Sequence, residues 1–430
     1  MTVRSASKPN FAGPKLMHQL YIPSSTMMKF HFLYKPMAIA LLTTFLMSKP
    51  CVAGEPVKVF ILAGQSNTVG HARAHTIATL FASEAPRDRE LLNMVFGNDS
   101  GLSLVTLEKQ LEQGKMIDEL TGGISNEKIE NMEEGPNRKA LEAKVGKLKE
   151  AHEAYKQKVS DACKISDRVF ISSTADRNKR SGKLSIGYGA DQKKIGPEYG
   201  FGLSIAKKID GPILLIKTSW GGKSLHYNFR PPSAGSYELN EKEKSGDKTE
   251  EIAKNAGLNY RMMNESIHEV LANIGEYHPE YDPEAGYEIS GFVWFQGYND
   301  QFSDEFRDNY KNNMIKFIGD IRDEYDVPKM PFIIGVLGTG ATAEKVAENP
   351  VSLAQRAAAE AMGTENKVAS VESYTQYSHY SNAVFQKGWR AHYHEWDTVG
   401  SDRPYHYLGS GAFFLRLGDA FADKMEELME

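Results

Sequence analysis

The chain has 430 residues, a formal charge of −5, 41% hydrophobic residues and two cysteines. An ordinary apolar fraction excludes a disordered or collagen-like chain, and two cysteines exclude a disulfide scaffold. The overall charge gives no electrostatic footprint for nucleic acid, so no nucleic-acid partner is expected.

The charge is unevenly spread. Residues 1–54 carry six basic residues and no acidic one, leaving 45 basic against 56 acidic residues, a net −11, in the rest. Within the basic head, Met37–Met47 (MAIALLTTFLM) is an uncharged apolar run. It suits the core of a signal peptide and is too short to span a bilayer, which takes about 20 residues. Lys29, His31 and Lys35 precede it, and Cys51-Val52-Ala53 offers a cleavage site. Residues 1–54 are therefore read as an N-terminal extension and signal peptide. The mature protein is expected to be secreted or periplasmic, with no stable membrane insertion after cleavage.

In residues 55–430 short apolar runs alternate with helical patterns. The runs are Val57–Ala63, Pro212–Lys217, Ile289–Gln296, Pro331–Leu337 and a weaker Lys367–Val371. They are almost continuously apolar, as in strands buried on both faces of a parallel sheet. The helical patterns are Tyr199–Ile209, Asn259–Ile274, Phe306–Glu324, Val351–Met362 and Gly411–Leu428. This alternation predicts an α/β fold of three layers, with ligands beyond the carboxyl ends of the strands. One stretch departs from it. Between about Ala74 and Ser173 the chain is highly charged, and Leu141, Val145, Leu148, His152, Tyr155, Val159 and Ala162 form one helical stripe. It is read as a helical insertion, with His152 as a packing residue and Cys163 on the inserted helix.

Chemistry is sought at the strand ends. Gly64-Gln65-Ser66-Asn67 follows the first strand and would present the Ser66 hydroxyl at the sheet edge. Trp220-Gly221-Gly222-Lys223 follows the second; paired glycines let backbone approach a ligand closely. Trp294-Phe295-Gln296-Gly297-Tyr298-Asn299 follows the third, where Asn299 has an amide to offer an oxyanion. Asp402-Arg403-Pro404-Tyr405-His406 precedes the last helix and has the composition of a general base with its orienting acid.

Together these blocks resemble the SGNH hydrolase superfamily, in its sialate O-acetylesterase-like and acetylxylan-esterase-type carbohydrate esterase branch. The resemblance covers roughly residues 56–427, interrupted by the insertion. It implies a three-layer α/β/α fold with a mainly parallel sheet, and a serine esterase that hydrolyses O-acetyl esters of carbohydrates. Ser66 matches the nucleophile and His406 the base. The Ser66 and Gly222 backbone N–H groups and the Asn299 side chain match the oxyanion hole. Gln65, Gln296 and Tyr298 are expected to bind substrate, and neither metal nor cofactor is required. The branch usually places the acid three residues before the histidine, where this chain has Arg403. Asp402 is therefore the expected acid and Asp397 its fallback. Tyr298 stands where many members of the branch have Glu.

Several readings stay open at this point. An inactive glycan-binding protein on the same fold would tolerate the displaced acid, and a lipid or thioester hydrolase would keep the serine. Gly338-Thr339-Gly340-Ala341-Thr342-Ala343 loosely fits the dinucleotide pattern Gly-x-Gly-x-x-Ala, and His392-Tyr393-His394-Glu395 has metal-ligand residue types, with both histidines on one face if extended. Trp389 and Trp396 are candidates to stack on sugar rings. Lys223, Arg230 and Arg403 are the basic candidates for an anionic sugar. Oligomeric state is not legible.

Overall fold

The computed structural model describes residues 54–97 and 99–430. Of the expected leader, residues 1–54, all but Gly54 lie outside the described residues. The strands in chain order are β1 (Val57–Gly64), β2 (Ala72–Arg73), β3 (Val169–Ala175), β4 (Asn178–Lys183), β5 (Lys194–Ile195), β6 (Ile213–Ser219), β7 (Tyr287–Phe295), β8 (Phe332–Val336) and β9 (Val368–Glu372). A seven-stranded sheet runs in the order β4-β3-β6-β1-β7-β8-β9, and β2 pairs with β5 in a small ladder. Every pairing in the large sheet is parallel except β3 with β4.

The apolar runs become strands because both faces of the sheet are covered. On β1, Phe60 and Leu62 face one core with Phe201, Phe413, Leu417 and Phe421, carried by helices Pro197–Lys208 and Gly411–Met429. Val59, Ile61 and Ala63 face the other, against helices Leu258–Leu271, Asp304–Glu324 and Pro350–Met362. This is the three-layer α/β/α arrangement. Each large side chain so buried stabilises the fold by about 1.5–3 kcal/mol.

Register then sets the site. Gly64 of β1 lies level with Ser219 of β6 and with Phe295 of β7, and Ala175 of β3 is level with Ser219. The residues that follow these four strands therefore emerge together at one sheet edge. Gly64 is required there: a Cβ would collide with the Phe295 carbonyl and the Thr68 hydroxyl.

Two strands escape the apolar-run reading. β3 (VFISSTA) is half hydroxylated, and β4 (NKRSGK) is a charged, largely exposed edge strand. The charged stretch between β2 and β3 is helical, with helices Pro86–Phe96, Leu104–Thr121 and Pro136–Asp161. Its expected end at Ser173 is too late, because the sheet takes Val169 onward as β3. The predicted stripe appears on Pro136–Asp161, where Val145, His152 and Val159 are buried, and Val145 packs with Ile117 and Ile129. His152 is bonded to Gln110. Cys163, expected on the helix, sits just past its end as a buried free thiol, its pKa pushed up by burial. Among the described residues no helix is long and apolar enough to cross a membrane.

Candidate active site

Ser66 opens a short helix, Ser66–Val69, directly beyond β1. The turn is held from below by Lys217 of β6. Its ammonium donates to the Val69 carbonyl at 2.8 Å, the Tyr188 carbonyl at 2.9 Å and Glu198 Oε2 at 2.7 Å. Both partners of this ion pair are fully buried. Burial lowers the Lys217 pKa, and Glu198 works against that shift. Glu198 Oε1 in turn accepts from the Gly196 N–H at 2.8 Å.

Gln65 and Gln296, expected to bind substrate, are buried and bonded to each other. Gln65 is 1% exposed and Gln296 3%. Gln65 Oε1 accepts from the Gln296 amide at 3.1 Å and from the Gly297 and Asn299 N–H groups at 3.2 Å each. The Gln296 amide also donates to the Lys223 carbonyl at 2.8 Å and to Asp300 at 2.6 Å. Buried amides are held by hydrogen bonds of this kind. The two glutamines lock the ends of β1 and β7 together. Asp300 adds the third loop by accepting from the Leu225 and His226 N–H groups at 2.9 and 3.0 Å. Burial raises its carboxyl pKa to about 6.

The oxyanion candidates meet at this edge. The Asn299 side-chain amide donates to the Gly222 carbonyl at 2.9 Å. A Cβ on Gly221 would lie 4.0 Å from Ser66 Cβ, so this loop flanks the serine. The Gly221 N–H is taken by Asp176 Oδ1 at 2.8 Å. The N–H groups of Ser66 and Gly222 make no hydrogen bond among the described residues. Gly222 needs its φ of +67°, a left-handed conformation that favours glycine.

Asp402 and His406 are brought together by a tight turn. The Leu408 N–H donates to Arg403 O, and the Asp402 N–H to Leu408 O. Tyr407 and Leu408 sit at φ +50° and +63°, a left-handed pair held in place by burial. The Tyr407 ring stacks on Phe413 at 3.9 Å, and its hydroxyl takes the Gly338 N–H at 2.9 Å. The fold thus brings His406 Nδ1 within 3.1 Å of Asp402 Oδ1 despite the extra residue between them. With carboxylate as acceptor, Nδ1 carries the proton and Nε2 is left to act as a base. Burial alone would raise the Asp402 carboxyl, but His406, His71 and the Arg403 N–H hold it well below the usual range. Arg403, in the place usually held by the acid, lies over Trp389 at 4.0 Å.

Asp397, the fallback acid, is elsewhere. It pairs with Lys156 at 2.5 Å and faces His152 at 3.7 Å, while its carbonyl bonds His75 at 2.7 Å. Its carboxyl, which burial alone would raise, is held well below the usual range by these neighbours. The Ser66 hydroxyl and His406 share no hydrogen bond; catalytic hydrogen bonds are often long or poorly aligned until substrate is bound. One link between their loops is the Asn67 amide, which donates to the Tyr405 carbonyl at 3.2 Å.

The remaining candidates divide. Tyr298 is half-buried at the rim, with Phe302 at 5.3 Å and Tyr405 at 5.8 Å between ring centroids. Trp396 is a core residue packed on Phe385. Arg230 is spent on the carbonyls of His226, Ala234, Gly235 and Ser236. His394 belongs to a helix, Tyr393–Val399, and bonds Asp118 at 2.8 Å, so the extended-strand pairing with His392 does not occur.

Sequence reasoning missed His71 and Asp176, since nothing in their spacing marks them. The His71 ring stacks on His406 at 4.0 Å, 5° from parallel. His71, Asp402 and His406 are, among the described residues, the group whose possible ligand atoms all lie within 4.8 Å of one another.

This edge of an α/β/α sheet carries the parts of an ester-hydrolase site: a serine, a histidine paired with an acid, and uncommitted N–H donors. The family model for carbohydrate esterase, sialic acid-specific acetylesterase, matches residues 143–381, more than half of the chain. The chain belongs to that family and is a carboxylic ester hydrolase acting on carbohydrates. The matched span holds Gly222 and Asn299 and does not reach Ser66 or the Asp402–His406 turn. No curated protein matches the chain. Similar solved structures include a protein from Arabidopsis thaliana, at 15% identity and TM-score 0.35, over 74% of this chain and 86% of that one. A carbohydrate acetylesterase from Xanthomonas citri aligns at 12% identity and TM-score 0.35, over 73% of this chain and 49% of that one. NanS aligns at 10% identity and TM-score 0.34, over 75% of this chain and 78% of that one.

Proposed function

We propose that the protein is an exported serine esterase that removes O-acetyl groups from carbohydrates through a Ser66–His406–Asp402 acyl-enzyme mechanism. The observation that carries this reading is the 3.1 Å contact of His406 Nδ1 with Asp402, at the sheet edge that also holds Ser66. Ser66 attacks the acetyl carbonyl while His406 Nε2 takes its proton. The Ser66 and Gly222 N–H groups and the Asn299 amide receive the oxyanion. His406 returns the proton to the departing sugar oxygen, and water then releases acetate from Ser66.

The same contact favours catalysis over an inactive glycan-binding role, which drew on the displaced acid. The aromatic rim of Tyr298, Phe302 and Tyr405 favours a sugar as the leaving group, since flat rings stack on the apolar face of a pyranose. Export draws on the sequence alone, on the Met37–Met47 run and the Ala53 site. In this reading residues 1–54 are the leader and 55–430 the esterase domain with its helical insertion.

The test is labelling of the intact protein with a fluorophosphonate ester, followed by peptide mapping. The reading expects one adduct, on Ser66, with loss of acetyl-ester hydrolysis in proportion. Full labelling elsewhere, with hydrolysis lost, would refute it.

A further inference from the structure

We propose that His71 is a positioning residue that fixes the plane of His406; the inference rests on the reading of His406 as the base. His71 lies just beyond the Ser66–Val69 helix, so the nucleophile's own segment supplies it. Its ring lies against that of His406 with centroids 4.0 Å apart and planes 5° from parallel. Asp402 stands between the two: Oδ1 accepts from His406 Nδ1 at 3.1 Å, and Oδ2 faces His71 Nδ1 at 3.5 Å. Tyr405 closes another side of His406, edge-on at 4.5 Å and 71°.

An imidazole held only by one hydrogen bond keeps a rotation about its Cβ–Cγ bond. That rotation swings Nε2 out of line with the serine. A parallel ring at van der Waals distance blocks it, and the carboxylate oxygen facing His71 fixes both rings to one acid. The stack also suits the charge that develops. Burial lowers the proton affinity of His71, with His406 working in the same direction and Asp402 against it. With His71 neutral, the imidazolium of His406 is, among the described residues, the cation paired with Asp402.

Metal binding by the same three side chains fits the geometry less well. Zinc takes imidazole nitrogens at about 2.0–2.1 Å in a convergent tetrahedron. Stacked, parallel rings send their in-plane lone pairs side by side, not to one point. The arrangement is that of a plate supporting a base.

The experiment measures kcat and KM for 4-nitrophenyl acetate with the full chain, its His71→Ala, His71→Phe and His71→Asn variants, and Ser66→Ala as control. Misplacing a reacting group by about 1 Å costs on the order of 10²-fold. The expectation for His71→Ala is a fall in kcat of that order with KM within about twofold. His71→Phe restores the flat plate and should recover most of the loss, whereas His71→Asn should not. Wild-type kcat in His71→Ala overturns the proposal, as does a Phe variant no better than Ala. If His71→Ala does not fold, the Phe and Asn comparison decides alone. Undiminished activity in Ser66→Ala instead refutes the underlying active-site reading.

Discussion

The Asn67 side-chain amide donates to the Tyr405 carbonyl across 3.2 Å, tying the serine's turn to the loop of His406. Asn67 is 3% exposed, so the donor end of the bond is shielded from water. A typical intramolecular hydrogen bond contributes about 0.5–1.5 kcal/mol. Asn67→Ala should lower stability by about that amount and slow turnover more than it alters KM. Urea unfolding and steady-state kinetics on the same preparation check both parts. Full stability with unaltered kcat would show that the loops hold their spacing without this bond.

Asp402 and Asp397 make opposite predictions. Asp402→Asn keeps the shape but fails to hold the tautomer that frees Nε2, and kcat should fall roughly 10³–10⁴-fold, as for other triad acids. Asp397→Asn leaves Lys156 without its buried partner and should cost stability while sparing kcat. Kinetics and thermal melts of both variants separate the roles.

The depressed Asp402 pKa makes a statement about acid stability. A carboxyl with a lower pKa folded than unfolded contributes stability above its unfolded pKa, near 3.9. That contribution disappears as pH falls below about 4 towards the folded value. Unfolding followed from pH 6 to pH 2 should therefore be less steep in Asp402→Asn than in the parent. An identical acid profile in the two would mean that the carboxylate gains nothing from its histidines.

The Lys217–Glu198 pair sits beneath the nucleophile turn with no solvent exposure. Removing one partner of a buried pair costs about 3–5 kcal/mol because the other charge is left behind. Lys217→Met should show that loss, and adding Glu198→Gln should restore part of it. Denaturant midpoints of the single and double variants measure the coupling.

These positions differ in how far they could be read in advance. The five apolar runs and the helices between them are legible because a strand buried on both faces has no polar alternation to obscure it. β3 and β4 are not, since Ser172, Ser173 and Lys179–Lys183 carry little apolar signal, and the register with β6 supplies the pairing. Ser66, Gly222 and Asn299 stand out by following strands. The acid is ambiguous from spacing alone, because Tyr407 and Leu408 adopt left-handed conformations that no local residue preference announces. Gln65 and Gln296 illustrate the converse. Polar residues beside a site look like ligands in a sequence, yet here they bind each other. His71 is invisible until β2 and the final loop are folded together.

The proposed mechanism stands on the Ser66 hydroxyl as nucleophile. The most direct measurement is acetate release from an O-acetylated sugar by Ser66→Ala, alongside its circular dichroism and melting temperature. The variant should keep a fold indistinguishable from the parent and lose hydrolysis at least about 10³-fold. Acetate release at the parent's rate from the folded variant would contradict that mechanism.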